Sequence, residues 1–389
     1  MSVFDALVGQ DEVVAALRAA VAPQVSHTGS TMTHAWLFTG PAGSGRSIAA
    51  LAFAAALQCR QIGCGACHAC RTTLGGTHAD VRRVIPEGLT IGVEEMRSLV
   101  VSAASTPTSG RWQVLLIEDA DRLTEAAGNA LLKAVEEPPE RTVFLLCAPS
   151  THSDDMSITL RSRCRLVNLR SPSADAVAEV VMRRDDVSPE VAQWAAHAAQ
   201  GHVGRARRLA GDEAARDRRA AVLAVPRSLT QLGVCFTAAA DLIAATEAEA
   251  AAVTVELDAA EADQLSKAWG EEGTGKGVAA ARRGASAARK DLGRRQKSRI
   301  TRTRRDCLDR ALVDLAGFYR DVLLLSMGAT ADPVHPDMAD TARSAAARWA
   351  PESVLRRIDA VLACREAIET NVKPLVAVED MMVTLYLGH

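Results

Sequence analysis

AWLFTGPAGSGRSIAALAFAAALQ, residues 35–58, joins an apolar run to an alanine-rich stretch through a turn containing Gly40, Gly43 and Gly45. The opening AWLFTG reads as a short buried strand, and SIAALAFAAALQ has the composition of a helix. Strand, glycine-rich turn and helix in this order form a phosphate-binding loop. Its backbone N–H groups surround phosphates at a helix N-terminus, and Ser47 stands where a hydroxyl holds magnesium. Arg46 occupies the position where such loops carry a lysine. It keeps the charge, but a planar fork does not replace a compact ammonium in a tight turn. Two readings follow: a loop that binds ATP and magnesium, and a strand-to-helix turn that has kept only the geometry.

The rest of the N-terminal half repeats the pattern. QVLLIEDA (113–120) and TVFLLCA (142–148) are apolar runs suited to strands covered on both faces, and TEAAGNALLKAVEEPP between them has helical spacing stopped by Pro138 and Pro139. This alternation predicts an α/β fold with a parallel sheet flanked by helices. After RLVNL (165–169) the strand signals cease, and helices are expected over 175–183, 189–200 and 204 to about 223, with boundaries near Arg170 and Pro226. The C-terminal third, including LVDLAGFYRDVLLLSMG and SVLRRIDAVLACREAIETN, reads as a helical bundle. WGEEGTGKG (269–277) reads as a flexible loop, and residues 282–305 hold eleven Lys or Arg against one Asp, a mobile or helical basic arm.

Composition limits the function classes. A chain of 389 residues, 48% hydrophobic and with a formal net charge of −2, can bury a sizeable core in two or three domains. The near-zero total points to neither a nucleic-acid nor a membrane partner, so only local charge can do so. The N-terminus lacks the basic and apolar regions of a signal peptide, and no apolar run is long enough to span a bilayer, which predicts a cytoplasmic protein. In that reducing compartment nine cysteines do not form a disulfide framework. Cys59, Cys64, Cys67 and Cys70 form C-x4-C-x2-C-x2-C, with Gly63 and Gly65 permitting a tight knuckle, which fits a closed structural zinc site. An iron–sulfur cluster competes, although the Cys-Pro ending of the ferredoxin run is missing, and reduced free thiols are the bland reading.

LLIEDAD (115–121) should end in the acids that hold magnesium and orient water. Glu118 and Asp119 stand in the reverse of the order usual in motor ATPases, and an aspartate at the base position is one methylene short. The alternative is that these acids cap a helix starting near Thr124. Arg161 and Arg163 in TLRSRC (159–164) are, on spacing alone, solvated charges or salt-bridge partners.

VGQ (8–10), HAWLFTGPAGSGRS, the four-cysteine knuckle, NALLKAVEEPP and LRSRC occur in this order, and over about residues 1–210 the chain resembles the bacterial clamp-loader subunits of the AAA+ class. The resemblance implies a RecA-like domain (1–170) with the knuckle inserted at 59–70, a small helical lid (171–225) and an all-α collar (226–389) with a basic insertion at about 269–305. It implies partners in a five-subunit ring, namely the gamma/tau motor subunits and the delta subunit, together with a sliding clamp and primed DNA. It places Val8 and Gln10 near a nucleotide base, makes Cys59, Cys64, Cys67 and Cys70 zinc ligands, and makes Arg163 an arginine finger acting in trans. The Cys59–Cys64 spacing is shorter than the family's pattern. In motor subunits the lid carries GxxR, whereas GHVG (201–204) places Gly204 at the arginine position. With Arg46 and the reversed acids, this predicts a subunit without intrinsic hydrolysis inside a DNA-directed DNA polymerase (nucleotidyltransferase) holoenzyme. An active motor ATPase and a DNA-binding module acting through the basic segment are the alternatives. The second is disfavoured by an aromatic content of 3%, which offers few stacking platforms.

Overall fold

The computed structural model describes residues 2–22, 32–86, 88–269, 278–370 and 372–388. The chain divides into two compact units, 1–211 and 212–389.

The first unit begins with a 3-10 turn (Val3–Ala6) and α1 (Asp11–Val21). It continues through β1 (Ala35–Thr39), α2 (Arg46–Gln58), α3 (His68–Leu74), β2 (Val81–Val84), α4 (Val93–Ala103) and β3 (Gln113–Ile117). Next come α5 (Glu125–Glu136), β4 (Thr142–Ala148), the single turn α6 (Ile158–Arg161) and β5 (Arg165–Asn168). The five strands form one parallel sheet in the order β2-β3-β4-β1-β5. Strands β1, β3 and β4 are buried along their whole length. Their side chains sort by the two-residue period of a strand. Trp36, Phe38, Val114, Leu116, Val143 and Leu145 pack with α2 on one face. Leu37, Leu115, Ile117, Phe144 and Leu146 pack with α4 and α5 on the other. Phe53 of α2 meets Trp36 edge-on with ring centroids 4.7 Å apart. This is the parallel sheet flanked by helices that the sequence predicts, with the glycine loop leaving β1 between neighbours β4 and β5.

Three helices complete the unit: α7 (Ala174–Asp185), α8 (Pro189–Ala198) and α9 (Val203–Gly211). Ser173 and Ser188 cap the first two by accepting from Ala176 and Val191 N–H. The single helix expected from Gly204 to about Leu223 is two, because Asp212 after Gly211 is extended (φ −116°, ψ 109°) and breaks the run. The break coincides with the division between units. The boundary expected near Pro226 falls inside α10 (Glu213–Ser228), which belongs to the second unit.

Among its described residues the second unit holds helices and no strand: α10, α11 (Leu232–Trp269), α12 (Val278–Ser326), α13 (Ala339–Ala346), α14 (Pro351–Glu369) and α15 (Pro374–Leu387). Residues 270–277, which hold most of the expected flexible loop, lie outside the described residues. The basic run 282–305 is part of α12. A core of Leu312, Leu315, Phe318, Val361, Val378 and Met382 joins α12, α14 and α15. Arg219 of α10 enters this unit's interior, reaching Asp337 at 2.6 Å and His335 Nδ1 at 2.8 Å, while His335 Nε2 lies 2.9 Å from the Asp314 carbonyl.

Asp80, 1% exposed, orders the loop before β3. Its carboxylate accepts from the Thr108 and Ser109 backbone N–H groups at 2.6 and 2.8 Å, from both hydroxyls, and from Gly110 N–H. Burial opposes ionisation, but these donors outweigh it and hold the carboxyl far below its ordinary range. The charged form is therefore the bound form, and its contribution to stability is present above the unfolded value near pH 4. That contribution should be lost as pH falls below it. Asp80→Asn, which swaps an acceptor for a donor, is expected to cost about 2–3 kcal/mol at pH 7 in urea unfolding. It should also flatten the acid limb of the stability curve. An unchanged curve would remove this role from Asp80.

Candidate functional site

The loop from Gly40 to Gly45 takes the conformation its glycines permit, with φ of +86° at Gly43 and +91° at Gly45. A Cβ on Gly43 would sit 2.6 Å from the Cα of His202, so the turn before α9 rests directly on the loop. A cavity of about 250 Å³ is lined by Val8, Gly43, Ser44, Gly45, Arg46 and Ser47 from the loop side and by Pro172, His202, Val203 and Gly204 from the other. That is slightly below the roughly 300–1,000 Å³ usual for small-molecule sites. No arginine of α9 lines it among the described residues. Gln10 is not at the cavity: its side-chain amide donates to the Arg170 carbonyl at 2.6 Å and accepts from Arg170 N–H, fastening the start of α1 to the end of β5. Gly40 lies beneath the loop, where its N–H donates to the Pro149 carbonyl at 3.2 Å.

Arg46 opens α2 with its Nη1 buried and without a hydrogen-bond partner among the described residues, as are Ser44 Oγ and Asp121 Oδ1. An oxyanion at the loop would meet such a donor, together with N–H groups at the start of α2. The acids that would hold magnesium are arranged differently. Glu118, at the end of β3, is 9% exposed and forms an ion pair with Arg83 of β2. Asp119 begins a 3-10 turn (Ala120–Arg122) in the left-handed region, φ +50°. Neither lines the cavity. Asp121, held above its ordinary range by burial and then by Asp119, is the acid that Arg46 favours electrostatically. These acids do not cap α5. Thr124 does so itself, accepting from Ala127 N–H at 3.2 Å.

Arg163 lies at the surface beyond α6. Its Nη2 pairs with Glu136 at the end of α5 at 2.5 Å, both side chains 39% exposed, and its Nη1 donates to the Thr159 carbonyl at 3.0 Å. Arg161 donates to the Thr151 carbonyl at 2.7 Å.

The knuckle between α2 and α3 brings Cys59, Cys64, Cys67 and Cys70 together, with all four Sγ atoms within 4.8 Å of one another. Cys59 Sγ is 3.7 Å from both Cys64 Sγ and Cys67 Sγ, too far for a disulfide. A tetrahedral ion with metal–sulfur bonds of about 2.3 Å has sulfur–sulfur edges of about 3.8 Å. The cluster therefore fits a single ion held by four thiolates. Backbone N–H groups point at the sulfurs: Gln61 and Cys64 at Cys59 (3.3 and 3.4 Å), Cys67 at Cys64 and Cys70 at Cys67 (both 3.4 Å). Burial opposes ionisation of Cys59, yet these donors bring its thiol down to about 6. The Ala66 and Cys67 backbone donors lower Cys64, whereas burial raises Cys70. Gly63 (φ +85°) allows the close approach: a Cβ there would lie 2.6 Å from Val3 Cγ2, and its carbonyl accepts from Val3 N–H at 3.0 Å.

Sequence reasoning missed Arg83 and His202. Both act through contacts that join distant parts of the chain, which no local pattern announces.

Residues 18–173 match the family model described as DNA polymerase III, delta subunit. The delta-prime subunit of DNA polymerase III from Yersinia pestis is 41% identical over 137 residues, 34% of this chain and 40% of that protein. The tau subunit of Bacillus subtilis is 31% identical over 178 residues, 45% of this chain and 30% of that protein. The chain thus spans less than half the length of these curated relatives. A solved gamma subunit-related protein from Thermotoga maritima aligns with 91% of this chain and 94% of its own, at 14% identity and a TM-score of 0.41. No helix among the described residues is long and apolar enough to cross a membrane. With its parallel sheet, glycine loop and match over residues 18–173, the first unit of the chain is similar to the clamp-loader subunits of DNA polymerase III.

Proposed function

We propose that the chain is the delta-prime subunit of a DNA polymerase III clamp loader, a stator that does not hydrolyse ATP and that donates Arg163 to a neighbouring motor subunit. The observation that carries this reading is the capture of Glu118 by Arg83, which occupies the acid a magnesium-dependent motor would keep for its ion. Arg46 in place of lysine and Gly204 in place of a lid arginine agree with it. Helices α7–α9 serve as the lid, and the second unit serves as the collar of a five-subunit ring with gamma/tau and delta subunits. The ring places a sliding clamp on primed DNA in the cytoplasm. The metal in the knuckle is zinc, because a polynuclear iron–sulfur cluster holds its thiolates farther apart than these sulfurs lie, and the four ligands leave no open position for chemistry.

The purified chain is expected to hydrolyse ATP at background level, and Arg46→Lys alone should not raise it, because the acids and the lid remain altered. Mixed with motor subunits, it should support DNA-stimulated turnover. A turnover by the chain alone that matches a motor subunit and disappears in Ser47→Ala would instead make it a motor.

A further inference from the structure

The basic run of α12 divides between two faces. One faces α11: Arg299 reaches Asp258 at 2.7 Å and Glu261 at 2.8 Å, and Arg310 lies 3.7 Å from Glu249. As numbers rise along α12 they fall along α11, so the two helices form an antiparallel hairpin laced by charge. The α11 side chains that join the unit's core are Cys235, Ala239 and Leu242, and those of α12 begin at Leu308. Most of the basic run thus lies beyond the core, on the outer part of the hairpin.

A second face of the same helix carries a row of exposed side chains. Lys290, Arg294, Lys297, Thr301 and Arg304 are exposed. At 3.6 residues per turn they fall within about 80° of arc, a single stripe about 21 Å long. Leu292, buried, marks the opposite side. Arg304 contacts Glu247 only through half-exposed groups, an arrangement a stronger anion displaces. We propose that this stripe is a docking surface for the phosphate backbone of duplex DNA. A row of cations on one helix face, without an acidic side chain among its members, complements a row of phosphates spaced about 3.4 Å per nucleotide along each strand. Residues 278–305 contain no aromatic side chain, so the stripe offers no rings on which to stack unpaired bases, and its charges address phosphates. Binding is therefore to the duplex backbone and independent of sequence. This inference does not rest on the stator reading, since it involves neither ATP nor Arg163.

The test measures fluorescence anisotropy of a labelled duplex of about 20 base pairs with the full chain, without ATP or other subunits, from about 50 to 200 mM salt. Combined Lys290→Ala, Arg294→Ala, Lys297→Ala and Arg304→Ala should weaken binding at least tenfold at the lowest salt. It should also reduce the slope of log affinity against log salt by about 3.6, since each of the four lost phosphate contacts removes about 0.9. Helical circular dichroism and the thermal midpoint should stay unchanged. Arg294→Lys with Arg304→Lys, which keeps the charge, should bind as wild type. A combined variant with the wild-type slope, or a wild-type chain that does not bind the duplex at the lowest salt, overturns the proposal. So does tighter binding of a polyglutamate chain than of the duplex through the same four residues, since it would assign the stripe to an acidic protein.

Discussion

Arg163→Ala in an assembled loader is expected to lower ATP turnover at the site this arginine faces by about 10³-fold, while complex formation, folding and metal content are retained. Phosphoryl transfer asks for little covalent chemistry, so a guanidinium that arrives as charge builds on the γ-phosphate acts directly on the barrier. In the isolated chain this guanidinium is held by Glu136 at 2.5 Å and by the Thr159 carbonyl, and both members of the pair are 39% exposed. An exposed pair of this kind is worth about 0–1 kcal/mol, little against a bidentate contact with phosphate oxygens. Exchange of Glu136 for phosphate is then favourable, and Glu136→Gln should leave turnover within about twofold of wild type. Arg163→Lys should recover only part of the rate, because a single ammonium does not span two oxygens. Arg161→Ala, whose partner is the Thr151 carbonyl, is the neighbouring control. Wild-type turnover and clamp loading by the Arg163→Ala complex would refute the role in trans.

Cys64→Ser is expected to take the metal content from one zinc per chain to none and to lower the thermal midpoint by about 10 °C, as a loss of about 3 kcal/mol would in a domain of this size. Structural zinc binds with an apparent free energy of about 10–16 kcal/mol in small peptides, and without it four sulfurs and their N–H donors have no common partner. The effect should spread, because the knuckle is not an appendage. The Gly63 carbonyl holds Val3, Cys70 is fully buried against α2, and Phe4 packs in the same cluster. Metal analysis, differential scanning calorimetry and limited proteolysis between residues 58 and 70 read the three consequences separately. Protein purified without chelator that holds no zinc, or that carries visible iron absorbance, would refute the assignment.

The parts of this molecule that were legible in its sequence are those whose cause is local. Strands β1, β3 and β4 are apolar from end to end because both faces are covered, and the cysteine knuckle is specified by spacing within twelve residues. Strand β2 carried no such mark: it is an edge strand of four residues, with Arg82 and Arg83 exposed. That edge position lets Arg83 reach Glu118 35 residues away, a pairing no local pattern announces. The reversal of Glu118 and Asp119 was visible, but its meaning came from the partner. Gln10, which the resemblance places near a nucleotide base, binds the Arg170 backbone, because a buried amide is satisfied by whichever peptide group the fold brings near. The break at Asp212 was signalled by Gly211 before it and was overridden in sequence by the helical composition on either side.

The antiparallel pair of α11 and α12 also has a mechanical side. From Leu242, the last fully buried α11 side chain in the core cluster, to Trp269 the helix runs about 40 Å. A tilt of about 10° at its root would carry the far end through about 7 Å, simply from that length. The ion pairs of Arg299 brace one rod against the other, so the pair bends less readily than either helix would alone. By its length alone the pair is a lever, and a small change of angle in the bundle becomes a large displacement at its tip.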